Sequence, residues 1–111
     1  MQLKFMGEQR ALVAKVEGEL DHHVAKEVRE VIDREIKRTS AVNIIFDFSD
    51  ITFMDSSGIG VIVGRYKLAK TLGGTVILFG ASNQVRRIVE MSGIHKIVKI
   101  ASSFENALML I

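Results

Sequence analysis

Apolar positions along the chain switch between two periods. Leu12, Ala14 and Val16 recur at every second residue, the spacing of a strand with one covered face. Val24, Ala25, Val28, Val31, Ile32 and Ile36 recur at three and four, the spacing of an amphipathic helix. Residues 2–6 and 10–17 are therefore predicted strands, joined by the hairpin-like Gly7-Glu8-Gln9. Residues 22–38 are a predicted helix whose outward face carries Lys26, Glu27, Arg29, Glu30, Asp33, Arg34 and Lys37. Asp21 is placed to cap its start, where a short acceptor satisfies free amide protons. The Lys37-Arg38 end suits the negative pole of the helix.

The second half repeats a strand-helix rhythm. Residues 42–48 form a nearly continuous apolar run, the signature of a parallel strand covered on both faces. Residues 57–72 are a predicted helix with Ile59, Ile62, Val63, Tyr66 and Ala69 on one side, ended by Gly73-Gly74. A buried strand over 75–79 follows, then a helix over 83–92 with Val85, Ile88 and Val89 inward and Gly93 closing it. Residues 97–101 read as a strand. Ser102 and Glu105 are spaced as a capping box for a last helix with Phe104, Ala107, Leu108 and Ile111 inward. This order implies crossovers and parallel pairing after an opening hairpin. The expected class is α/β: a mixed, mostly parallel sheet of four to five strands packed by four helices, with residues 1–111 as a single domain.

Composition narrows the chemistry. Apolar residues make up 48% and charged residues 25%, a balance that supports a folded core rather than disorder. Cysteine is absent, which removes disulfides, thiol catalysis and cysteine metal sites. No basic stretch with a long apolar run opens the chain, and no apolar stretch has membrane-spanning length, so a cytoplasmic protein is expected. The net charge of +2 comes from scattered basic residues, Arg65 among them, read as solvated helix faces. With one tyrosine and no tryptophan, the chain lacks the stacking aromatics of a nucleic-acid binder.

The segment from Ile51 to Gly60 concentrates unusual residues. Asp55-Ser56-Ser57-Gly58-Ile59-Gly60 opens the second helix. One acid or hydroxyl would suffice as a cap; here an acid and two hydroxyls stand in a row. Gly58 and Gly60 each lower helix stability by roughly 1 kcal/mol relative to alanine. Either a close crossing with another element or open access to the serines offsets that cost. A hydroxyl at a helix start suits switching by phosphorylation, because amide protons and the helix dipole tolerate the added charge. Ser57 is favoured over Ser56 as the less shielded position, directly before Gly58; spacing alone leaves Ser56 and Asp55 as alternative caps.

Enzyme motifs are missing around these residues. Gly58-Ile59-Gly60 with Gly64 lacks the acid that a dinucleotide-binding turn needs at the end of the next strand, which reads Phe79-Gly80-Ala81-Ser82. No phosphate-binding loop of the Gly-x-x-x-x-Gly-Lys type occurs. Asp55 precedes the serines where a nucleophile elbow requires Gly-x. His22-His23 is a poor metal pair, because adjacent helix residues diverge. His95 is expected in a loop near a partner surface, and the five methionines as packing filler, with Met54 beside the turn. The expectation is a protein without catalytic residues, metal or cofactor.

Gly18-Glu19-Leu20-Asp21, the strand Ile44-Ile45-Phe46-Asp47-Phe48 and Phe53-Met54-Asp55-Ser56-Ser57-Gly58-Ile59-Gly60 occur in the order and over the length of one family. The chain resembles the STAS domain family, and within it the bacterial anti-sigma factor antagonists, most closely the sporulation type. Ile59 stands where many relatives carry leucine. The resemblance implies partner switching: the unphosphorylated protein binds an anti-sigma factor that is also an ATP-using serine kinase, and so frees the sigma factor. The kinase phosphorylates Ser57 and a serine phosphatase resets the switch. It also implies a partner surface of Asp21, Asp55, Ser56, Ser57, Gly58, Ile59 and Gly60, with the loop at Asp21 lying near the phosphorylation turn. Two alternatives within the family are a stress-response antagonist and a constitutive binding module of a transporter or lipid pathway, in which the turn is a cap only.

Overall fold

The computed structural model describes residues 1–111. The elements are β1 (Gln2–Met6), β2 (Ala11–Leu20), α1 (Ala25–Thr39), β3 (Asn43–Met54), α2 (Ser56–Thr71), β4 (Val76–Phe79), α3 (Asn83–Ser92), a 3-10 turn (Ile94–Lys96), β5 (Lys99–Ala101) and α4 (Phe104–Met109). One five-stranded sheet runs β1-β2-β3-β4-β5, with β1 antiparallel to β2 and every other pair parallel. The predicted α/β architecture, with four helices on a mixed and mostly parallel sheet, is the one observed.

The helices divide unequally between the two faces. Leu12, Ala14, Val16, Ile44, Phe46, Phe48, Val76 and Leu78 point to one side, where they pack with Val28 and Ile32 of α1, Val61 and Ile62 of α2 and Val85 and Val89 of α3. The alternate residues Ala11, Ile45 and Ile77 meet Ala101 and Ala107 on the other side, covered by α4. That short helix leaves part of its face open. Lys15 there pairs with Asp50 at 3.1 Å, and Asp47 is only half-buried. The expectation that β3 is covered on both faces therefore holds for Ile45 and fails for Asp47.

Strands β2 and β3 are longer than predicted. Both continue as a paired ribbon, Glu17–Leu20 against Asp50–Met54, with register shifts after Lys15 and after Gly18. Gly18 takes a φ of +74°, a conformation that glycine adopts cheaply and that lets the ribbon bend. The predicted strands stop before Gly18 and the polar Ser49-Asp50; pairing within the ribbon carries both strands on. The ribbon carries the chain directly into the Asp55 turn.

Two predicted caps are displaced. Asp21 does not cap α1, which starts at Ala25 after Val24, with no side-chain cap. Asp21 instead closes the preceding turn: its Oδ1 accepts the His23 N–H at 3.0 Å, and its carbonyl accepts those of Val24 and Ala25. At the last helix the reciprocal pair is shifted by one residue. Ser103 Oγ accepts the Asn106 N–H, and Asn106 Oδ1 accepts that of Ser102, each at 3.0 Å, so Ser102 and Glu105 form no capping box. Ile111 is exposed, while Leu110 packs beside Leu108. The fifth strand is shorter than predicted, because the 3-10 turn directs Ile94 and Val98 inward and leaves Ile97 exposed.

Candidate functional site

Asp55 organises the turn between β3 and α2. It is the N-cap of α2, with Oδ1 accepting the Ser57 N–H at 2.8 Å. Its other oxygen, Oδ2, accepts the His22 N–H at 3.3 Å, and its own N–H reaches the Leu20 carbonyl at 3.4 Å. One carboxylate thus ties the helix start to the loop between β2 and α1. The proximity expected between the Asp21 loop and the serine turn is present. Partial burial pushes the Asp55 carboxyl upward. Backbone donors at Ser57, His22 and Gly58, with the His22 charge, outweigh it and hold the group below the ordinary aspartate value.

With Asp55 as the cap, the serine hydroxyls are left free. Neither forms a hydrogen bond within the chain; Ser57 is held at the cap through its backbone N–H. Their exposure is the reverse of the expectation. Ser56 is exposed and Ser57 is half-buried. Gly58, the next residue, is buried against the ribbon, which draws Ser57 partly under cover.

The two glycines have different roles. A Cβ at Gly58 would lie 2.4 Å from Met54 Cγ and 2.8 Å from the Leu20 carbonyl oxygen. Gly58 therefore allows close crossing of α2 over the ribbon. A Cβ at Gly60 would meet nothing within 4 Å, and the same holds at Gly64. These positions keep the outer side of α2 low beside the serines. Ile59 is half-buried, and Met54 is buried beneath the turn rather than offered to solvent.

Four further residues differ from their sequence reading. Phe53, one residue before Met54, is 41% exposed, an aromatic beside the turn that no periodicity marked as functional. His22 and His23 lie outside the helix, and their rings sit 4.0 Å apart. The divergence argued from helical geometry does not apply to them. His95 lines an open cavity of about 390 Å³ with Leu78, Arg86, Glu90, Ile100 and Ser102, a lining that includes no residue of the serine turn.

Residues 3–107 match the STAS domain. The chain belongs to the STAS domain family. The anti-sigma F factor antagonist of Paenibacillus polymyxa is 38% identical over 108 residues, spanning 97% of this chain and 92% of that protein. The solved structure of the anti-sigma factor antagonist SpoIIAA in its unphosphorylated form is 34% identical, with a TM-score of 0.79 over 94% of this chain and 90% of that one. The phosphorylated form of the Bacillus cell fate determinant SpoIIAA is 33% identical, with a TM-score of 0.71 over 94% and 93%. This STAS chain stands with regulatory anti-sigma factor antagonists of the SpoIIAA type, a family controlled by phosphorylation and not one of catalysts. No helix in it is long and apolar enough to cross a membrane, and no group of three or more acidic or histidine side chains could hold a metal ion.

Proposed function

We propose that the protein is a partner switch whose unphosphorylated form binds an anti-sigma factor with serine kinase activity, and that phosphorylation of Ser57 ends the binding. The observation that carries this reading is the division of labour in the turn. Asp55 caps α2, so the Ser57 hydroxyl has no structural duty and is available to the kinase. Asp21, Asp55, Ser56, Ser57, Gly58, Ile59 and Gly60 form the partner surface, with Gly58 acting through its close packing and Gly60 through its bare outer side. Phe53 adds an exposed aromatic to its rim.

In the modification step, the kinase's ATP gives its γ-phosphoryl group to Ser57 Oγ. The new O–P bond replaces the bond to the β-phosphate oxygen, ADP leaves, and the hydroxyl proton passes to a base on the kinase. A serine phosphatase restores the hydroxyl by hydrolysis. The phosphate adds about −1.5 to −2 charge beside Asp55. A partner surface fitted to a bare hydroxyl then meets bulk, hydration and two adjacent anionic groups. On this reading the protein acts in the cytoplasm, and its type is that of the anti-sigma F factor antagonist of Paenibacillus polymyxa, which supports the sporulation reading over the stress-response one.

The test is incubation with the cognate kinase and ATP, read by intact-protein mass. The wild type and Ser56→Ala gain one phosphate, and Ser57→Ala gains none. Full phosphorylation of Ser57→Ala would overturn the site, and loss in Ser56→Ala alone would move it to the more exposed serine. Ser57→Asp weakens kinase binding with circular dichroism unchanged.

A further inference from the structure

The loop between β2 and α1 brings two imidazoles to the serine turn without an evident structural task. His22 and His23 are both exposed, their rings lie 4.0 Å apart, and neither ring forms a hydrogen bond within the chain. Their place is nonetheless defined. The His22 N–H is 3.3 Å from Asp55 Oδ2, the His23 N–H is 3.0 Å from Asp21 Oδ1, and the Ser57 N–H is 2.8 Å from Asp55 Oδ1. Backbone atoms of His22 and Ser57 therefore meet on the two oxygens of one carboxylate. The loop that carries His22 is thereby tied to the residue that carries the Ser57 hydroxyl.

The side-chain charge around a phosphate at Ser57 is anionic in the turn itself. The Asp55 carboxylate already takes the Ser57 N–H, the second amide of α2, so that donor is engaged by an anion. Asp21 adds a second carboxylate in the loop, and Glu19 a third on the adjoining strand, while α1 opens with Lys26 and Glu27. No Lys or Arg lies between Leu20 and Val24 or between Met54 and Gly64. The histidines are the only side chains of these two segments that can become cationic.

We propose that His22 and His23 form the intramolecular counter-charge for a phosphate carried on Ser57. The proposal rests on Ser57 as the modified residue and adds how the modified state is accommodated. The chemistry is matched, because a phosphate monoester loses its second proton near pH 6 and an imidazole ordinarily gains one near 6.5. The dianion favours imidazolium, so the imidazoles keep their protons to higher pH. Imidazolium favours the dianion, so the phosphate sheds its second proton at lower pH. The charge shown to a partner by the phosphorylated turn then depends on pH across the range in which both groups titrate.

The test installs phosphoserine at position 57 during translation, by an expanded genetic code, so no kinase is needed. Phosphorus NMR follows the phosphate from pH 4.5 to 8.5 in the otherwise wild-type chain and in His22→Asn/His23→Asn. The expected result is a phosphate midpoint roughly half a pH unit higher in the double variant, a shift reduced by exposure to solvent. Proton NMR of the imidazoles shows His22 and His23 titrating at higher pH with the phosphate than without it, while His95 does not move. Identical phosphate midpoints in the two chains, or a His95 shift equal to those of His22 and His23, would overturn the counter-charge. If the double variant fails to fold, the imidazole titrations of the wild-type chain decide alone. The kinase assay on Ser57→Ala separately tests whether Ser57 is the modified residue, so the two failures are distinguishable.

Discussion

At Asp55 a single side chain serves the helix, the loop and the site. An Asp before Ser-Ser-Gly can be read as one of three candidate caps; the structure selects it, because its two oxygens satisfy donors on different segments. The carboxyl is held below its ordinary value, so its stabilising contribution is complete above the unfolded aspartate value near pH 3.9 and is lost as pH falls through the lower folded value. Comparing urea midpoints of the wild type and Asp55→Asn from pH 7 to pH 2 should show a gap at neutral pH that closes at the acid end. Asp55→Ala should lie below Asp55→Asn at neutral pH, since asparagine still caps a helix. A gap independent of pH would show that the charge itself contributes nothing.

Between elements, the clearest departure from sequence reading is Arg65. The sequence groups it with solvated helix faces, yet its side chain is only 9% exposed and its Nε lies 3.0 Å from Asp33 Oδ1, joining α2 to α1. The two atoms are misaligned for a hydrogen bond, and Arg65 Nη1 is also without one. Burial lowers the Arg65 affinity for its proton, the Asp33 charge opposes that, and nearby Arg29 adds to it. Asp33 is the more exposed partner, so removing it leaves a buried guanidinium facing partial solvent. Asp33→Ala should cost about 2 kcal/mol in urea unfolding, while Arg65→Met/Asp33→Leu should remain within about 1 kcal/mol of wild type. An equal loss in both variants would mean that packing, not charge, joins the helices.

For the whole molecule, the helices divide between a large apolar face and a small one. Helices α1, α2 and α3 share the face that leads to the serine turn, and α4 alone covers the apolar patch of Ala11, Ile45, Ile77 and Ala101 on the other. Leu108 packs on that patch. Leu108→Asp should lower stability by about 2 kcal/mol, because an acid replaces a packed apolar side chain, and should leave phosphorylation of Ser57 by the kinase unchanged below the melting temperature. Loss of phosphorylation in the still-folded variant would show that the faces are coupled.

The order of elements, the α/β class and the place of the Asp55–Gly60 turn at the start of α2 were legible in sequence. Periodicity reports which face of each segment is covered, and Gly93 acts as a terminator through local geometry alone. The extension of β2 and β3 was not legible, because Gly18, Ser49 and Asp50 carry local end signals that only strand pairing overrides. The covering of Ser57 in place of Ser56 depends on Gly58 meeting Leu20 and Met54, contacts between segments distant in the chain. The burial of Arg65 and the approach of His22 to Asp55 have the same origin. Residue types placed an acid and two hydroxyls at a helix start; tertiary packing decided which side chain caps, which is sheltered and which charges stand beside them.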